Sequence, residues 1–229
     1  MNVSNKKWLL ASLLFFVIVY GLSFAVQHPA NNDHEIILTD VGFDTPVLLH
    51  AQCTEEEFDR YTEIVKEIYQ TNHKRFDIYH EYPDINNLYT INQQTGTQPV
   101  SIDSTTLSGI ELAIRMNRET GAYDPSIGSL LSLWHQYREQ GQSDEKKAQL
   151  PPDQDIREAL QHAGCDKIMI NGDQISFTDP QLQLDLGGIA KGYVTQLAKE
   201  ALEKAGCRHG FINAGGNVVL IGNKEDGSP

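Results

Sequence analysis

The sequence predicts an α+β protein with mixed or antiparallel sheets and packed helices. Three observations carry this. Two stretches, 36–39 and 46–51, flank Val41-Gly42-Phe43-Asp44 and read as paired strands. A second hairpin, 167–170 with 174–177, is signalled by Asn171-Gly172, a strong turn dipeptide. Around these run stretches of helical period, the longest opening at the capping box Thr54-Glu55-Glu56-Glu57.

In chain order, Asn5-Lys6-Lys7 precedes an almost unbroken apolar run from Trp8 to Val26. Charge followed by such a run is an export signal. Its length is close to the roughly 20 residues that span a bilayer, and Ser23-Phe24-Ala25 offers a small-x-small cleavage site. Residues 1–26 therefore read as a signal peptide or a membrane anchor, with the rest outside the cytoplasm. Residues 27–35 are a polar spacer, and 36–229 the folded domain. The capping box begins a helix to about Phe76, with Phe58, Tyr61, Ile64, Val65, Ile68 and Tyr69 inward. A short helical turn is expected at 86–91 and a helix from Ser104 to about Glu119, ending at Gly121. Asp124 and Pro125 read as the N-cap and first residue of a helix through Leu130, Leu131 and Trp134. Residues 138–152 are a charged, Gln-rich loop, and Asp153 caps a helix ending at Gly164. A strand, 181–186, then runs into Gly187-Gly188 and a helix carrying Val194, Leu197, Ala198, Ala201 and Leu202. Strands at 210–214 and 217–221 follow, with a turn at 223–227. The sequence stops at Pro229, so Val218 to Ile221 reads as an unpaired edge and the domain as incomplete at its C-terminus.

Composition is ordinary for a globular chain, at 40% hydrophobic and 21% charged, and the formal charge is −13. That balance, with no basic patch, argues against nucleic acid. An acidic protein that binds an anion must offset its own field locally. Cys53, Cys165 and Cys207 form no CxxC pattern, so they read as buried free thiols.

The site is placed at Leu184-Asp185-Leu186-Gly187-Gly188-Ile189-Ala190-Lys191-Gly192-Tyr193. A strand that breaks at two glycines and restarts as a helix leaves bare N–H groups where anions are stabilised. Lys191, one turn in, adds a positive charge. The spacing is neither that of a P-loop nor Gly-x-Gly-x-x-Gly. The same residues also read as a tight corner with a capping Asp and a solvated Lys.

This block resembles the ApbE family of FAD:protein FMN transferases. Two further blocks join it. One is Thr120-Gly121-Ala122-Tyr123-Asp124-Pro125 with Ile127-Gly128, Leu130 and Leu133-Trp134. The other is Ile212-Asn213-Ala214-Gly215-Gly216-Asn217-Val218 with Gly222. The resemblance implies an extracytoplasmic, Mg²⁺-dependent α+β enzyme. It would cleave the FAD pyrophosphate, release AMP and attach FMN to a threonine of a partner, typically a subunit of a membrane redox complex. By position, Asp185 and Lys191 would contact FAD, and Gly188 would offer its carbonyl to Mg²⁺. Ala122, Tyr123 and Asp124 would line the flavin and ribose side, while Tyr79 and Val41 would pack on FAD. The family usually carries Met-Gly-Thr where this chain has Val41-Gly42-Phe43. Its carboxylate and hydroxyl Mg²⁺ ligands are expected in a C-terminal third beyond Pro229. The alternatives are an FAD pyrophosphatase giving FMN and AMP, or a non-catalytic flavin-binding or inactive protein.

Overall fold

The computed structural model describes residues 32–94 and 98–223. The apolar run 8–26 and the turn residues 224–227 lie outside them. No described helix is long and apolar enough to cross a membrane.

The larger sheet is antiparallel, in the order β1 (Asp33–Leu38), β2 (Val47–Gln52), β6 (Gly210–Ala214) and β7 (Asn217–Ile221). β1 begins inside the polar spacer because Asp33, His34 and Glu35 pair with Gln52, Ala51 and His50; the backbone ladder, not hydrophobicity, extends it. β6 and β7 are joined by Gly215-Gly216 at φ +57° and +97°, the left-handed pair that a two-residue hairpin turn requires. Alternation along β2 puts Val47, Leu49 and Ala51 in the core.

Against this sheet pack α1 (Glu55–Phe76) and α6 (Ala190–Lys204). The capping box forms as its sequence requires: Glu57 N–H donates to Thr54 Oγ1 at 3.3 Å, and Thr54 N–H donates to Glu57 Oε2 at 2.9 Å. α1 buries Phe58, Tyr61, Val65, Tyr69 and Phe76. Tyr69 Oη and Thr195 Oγ1, 2.7 Å apart, tie it to α6 inside the core.

The smaller sheet is also antiparallel, in the order β3 (Val100–Ser101), β5 (Gln174–Phe177) and β4 (Ile168–Asn171). Asn171 pairs with Gln174, so the two-residue turn is Gly172-Asp173, one residue beyond the expected dipeptide, with Gly172 at φ +63°. The remaining helices are α2 (Leu88–Gln93), α3 (Ser104–Thr120), α4 (Gly128–Ser143) and α5 (Asp153–Gln161). α3 is closed by Gly121 in the left-handed conformation, as expected, and its start is capped by Asp103.

Four expectations fail. Asp124 does not cap a helix. Its Oδ1 accepts from Ser126 N–H at 2.9 Å and from Ser126 Oγ at 2.5 Å, making a separate turn, and α4 starts later at Gly128 without a side-chain cap. α4 then runs to Ser143, through residues read as loop. α5 takes Pro152 at its N-cap position, so Asp153 is its first helical residue; the helix stops at Gln161, short of Gly164. The last failure matters most: 181–186 is extended but joins no sheet. Leu182, Leu184 and Leu186 are buried in alternation, which is the pattern that read as a strand. Its main chain is satisfied otherwise. Asn92 exchanges two hydrogen bonds with Leu184, Asp185 N–H donates to Pro125 O at 2.9 Å, and Gly128 N–H donates to Gln183 O at 2.9 Å.

Close strand approach makes one glycine a test of the larger sheet. A Cβ at Gly210 would lie 2.3 Å from the His50 carbonyl oxygen, whereas at Gly172 it would meet nothing within 4 Å. Gly210→Ala should cost about 1–3 kcal/mol through overpacking. Gly172→Ala should cost about 1–2 kcal/mol, from its left-handed φ alone. Urea unfolding of each variant reads the cost, and hydrogen exchange separates the causes: Gly210→Ala should speed exchange across β2 and β6, and Gly172→Ala should leave those strands unchanged.

Candidate functional site

The corner is built by Asp185. Its Oδ1 accepts from Gly187 N–H at 2.6 Å, folding the chain back through an Asx-type turn. The carboxylate therefore shapes the corner but does not cap the helix. α6 has Ile189 at its N-cap position with no side-chain bond. Ile189 and Ala190 N–H both donate to Leu186 O, at 2.9 and 2.8 Å. Among the described residues, the next two N–H groups, of Lys191 and Gly192, have no acceptor. An uncapped helix start with a lysine in its first turn stabilises negative charge.

Facing it is the loop after α1. Burial works to raise the Asp77 pKa, but hydrogen bonds from Tyr79 N–H, His80 and Tyr82 outweigh it and hold the carboxyl below its ordinary value. Tyr79 N–H donates to Asp77 Oδ1 at 2.7 Å, and Tyr82 Oη donates to Oδ2 at 2.9 Å. This cage presents Tyr79, whose ring lies 5.1 Å from that of His135 on α4. A third wall is the link between β1 and β2. Gly42, Phe43 and Asp44 stand at φ +92°, +59° and +48°, and Phe43 N–H donates to His73 Nδ1 at 3.3 Å. Gly42 is required there, since a Cβ would sit 2.4 Å from His73 Cγ.

These walls enclose about 210 Å³, lined by Phe43, Asp44, Tyr79, Asp185, Gly187 and Lys191 among others. That is below the roughly 300–1,000 Å³ of drug-sized ligand sites. A cleft of this size has room for only part of a large ligand. Burial, then the Asp185 charge, raises the pKa of both Tyr79 and Tyr123. Both phenols stay protonated at neutral pH, and that of Tyr123 donates to the Asp185 carbonyl.

The fold thus brings Tyr79, Asp185 and Lys191 together. Tyr123 and Gly188 adjoin them: a Cβ at Gly188 would lie 2.8 Å from Tyr123 Cε2, and Tyr123 Oη donates to Asp185 O at 3.3 Å. Five expected residues are not among those lining the cleft: Tyr123 and Gly188, which adjoin it, and Val41, Ala122 and Asp124. Val41 is wholly buried, and its neighbours Phe43 and Asp44 face the space instead. Ala122 is exposed, its N–H donating to Thr120 Oγ1 at 3.2 Å. Asp124 is engaged with Ser126 and with the Cys165 thiol, 3.6 Å away; that thiol is pushed up to about 11 by burial and then by the Asp124 charge. Sequence reasoning missed Phe43, Asp44, His73 and Asp77. Asp77 alone carried a signal, as an Asp two residues before the N–H it accepts; left-handed Phe43 and Asp44 carried none.

The metal expectation rests on Gly188. The described residues contain no group of three His, Cys, Asp or Glu able to hold an ion. Mg²⁺ wants near-octahedral oxygen ligation, so the described residues do not form a complete cage.

An exposed double-glycine corner, an uncapped helix start bearing Lys191 and an aromatic wall thus meet in one cleft. The chain belongs to the ApbE family, whose model matches residues 43–229. It is similar to the FAD:protein FMN transferase of Vibrio cholerae serotype O1, at 28% identity over 186 residues, 80% of this chain and 51% of that protein. The Haemophilus influenzae FAD:protein FMN transferase is 28% identical over 155 residues, 65% of this chain and 43% of the relative. The chain therefore spans about half the length of these curated relatives. Among solved structures, the ApbE protein of Thermotoga maritima superposes with a TM-score of 0.71 at 26% identity, over 84% of this chain and 60% of that one. The flavin transferase ApbE of Vibrio cholerae gives 0.70 at 22%, over 86% and 62%, and shows the shared fold.

Asp77 gives the cleft a pH signature. A carboxyl whose folded pKa is depressed stabilises the protein above its unfolded value, and that contribution is lost as pH falls through the folded pKa. Asp77→Asn should cost about 1–2 kcal/mol at neutral pH. The gap from wild type should narrow below about pH 4, as read by urea unfolding at each pH. A gap that stays constant down to about pH 2 would show that the charge of Asp77 is not what holds the loop.

Proposed function

We propose that the protein to which this chain belongs transfers FMN from FAD to a threonine hydroxyl of an extracytoplasmic acceptor, releasing AMP. The observation that carries the reading is the convergence of Tyr79, Asp185 and Lys191 at the uncapped start of α6, beside Gly187-Gly188. The FAD pyrophosphate sits at the corner, held by Lys191 and the free N–H groups, with Tyr79 against an aromatic part of the ligand. Phosphoryl transfer asks the protein mainly for positioning and charge neutralisation. The acceptor oxygen forms a bond to the FMN phosphorus, the pyrophosphate P–O bond breaks, AMP departs and the hydroxyl proton is released. The names of the Vibrio and Haemophilus relatives support the activity.

Magnesium belongs to this proposal on charge grounds. Asp44 and Asp185 line the cleft with Lys191, so an anionic ligand there needs further positive charge, which a divalent ion supplies. The acceptor is proposed to be a subunit of a membrane redox complex. The lysine-preceded run 8–26 would carry the protein across the cytoplasmic membrane, to remain anchored or be released.

Lys191→Ala should weaken FAD binding about tenfold or more, a lost charge-assisted contact being worth about 1.5–3 kcal/mol. FAD titration of this chain in Mg²⁺ checks it. In the native-length protein, Lys191→Ala and Asp185→Ala should each abolish the FMN mass increment on the acceptor threonine, and chelation of Mg²⁺ should do the same. Unchanged transfer in both variants would refute the assignment of the cleft.

A further inference from the structure

The short helix α2 touches both sides of the cleft. At its start Asn87, fully buried, accepts from Thr90 N–H at 3.0 Å, and its Nδ2 donates to Lys74 O at 3.0 Å and His80 O at 2.8 Å. Tyr89 N–H donates to Asp77 O at 3.0 Å. The loop that presents Tyr79 is thereby fastened to α2. At the other end, Asn92 Nδ2 donates to Leu184 O at 2.9 Å, and Leu184 N–H donates to Asn92 Oδ1 at 2.8 Å. A side-chain amide has the same donor and acceptor as a peptide group. Asn92 therefore stands in for the strand that 181–186 lacks, one residue before Asp185.

We propose that α2 is the spacer that sets the width of the cleft, with Asn92 the positioning residue that fixes the Asp185–Gly188 corner relative to Tyr79. The proposal rests on the reading of the cleft as the pyrophosphate site, and it adds what holds that site in register. Asn92 touches no ligand in this account. It acts through Leu184, by removing the freedom of the chain entering the corner. Losing that restraint makes the ligand supply the ordering on binding, which lowers affinity without changing any contact.

Two variants test it. In Asn92→Asp one carboxylate oxygen still accepts from Leu184 N–H, but the other opposes the Leu184 carbonyl, acceptor against acceptor. In Asn92→Ala both bonds go. Hydrogen exchange of the folded chain should show Leu184 and Asp185 amides opening about tenfold faster in each, with the interior amides of α6 and of β2 and β6 unchanged. FAD affinity should fall about tenfold while riboflavin affinity, which does not use the pyrophosphate corner, holds within about twofold. A general loosening of the fold would instead lower both ligands together and speed exchange everywhere. Either that pattern, or unchanged exchange at Leu184 and Asp185 in both variants, overturns the proposal. If the wild-type chain takes up no FAD, the pyrophosphate reading fails, and the exchange measurement alone decides whether Asn92 fixes the corner.

Discussion

Buried peptide groups must be hydrogen-bonded, and the segment from Gln181 to Leu186 meets that demand without a sheet. Three leucines pull it under the surface, so its N–H and C=O groups cannot all turn to water. The partners come from α2 through Asn92, from the Pro125 turn, and from the start of α4 at Gly128 and Ser129. The corner that follows therefore takes its position from elements far apart in sequence. Tyr123 adds a bond to the Asp185 carbonyl and packs its ring against Gly188, where a side chain would collide with it. In this way the Tyr123–Asp124–Pro125 block supports the corner mainly from behind.

Charge is the second constraint. The chain carries a formal −13, and Asp44, Asp77 and Asp185 all line a small cleft. Two of the three carboxylates are committed to main-chain donors: Asp77 to Tyr79 and His80, and Asp185 to Gly187. Such bonds satisfy the carboxylates but do not cancel their charge. The uncapped N–H groups and Lys191 are what oppose it, and a ligand bearing two phosphates asks for more positive charge than they supply. That imbalance makes a divalent ion physically reasonable in the proposed reaction, although the described residues do not enclose one.

The loop 41–44 is held by contacts from α1. Gly42 leaves room for His73, which accepts from Phe43 N–H, and the ring centroids of Phe43 and His73 lie 5.5 Å apart in an edge arrangement. Holding Phe43 and Asp44 in left-handed backbone costs energy that the surrounding contacts must over-determine. The outcome is an aromatic ring and a carboxylate on the cleft wall, next to a valine that is part of the core.

Local chemistry was legible in the sequence. The capping box at Thr54, the Gly121 end of α3, the strands 210–214 and 217–221 and the helix after the glycine corner all follow from neighbouring residues, because caps and short elements are specified within a few positions. The corner itself, with Asp185 and Lys191, was legible for the same reason. What the tertiary structure decided is where long-range partners fall. Alternating burial of Leu182, Leu184 and Leu186 looks the same whether the backbone pairs with a strand or with an asparagine side chain, and only the fold brings Asn92 there. Likewise Asp124 could cap or make its own turn, and Tyr79, Asp44 and Lys191 lie too far apart in sequence for any spacing to show that they share one cleft.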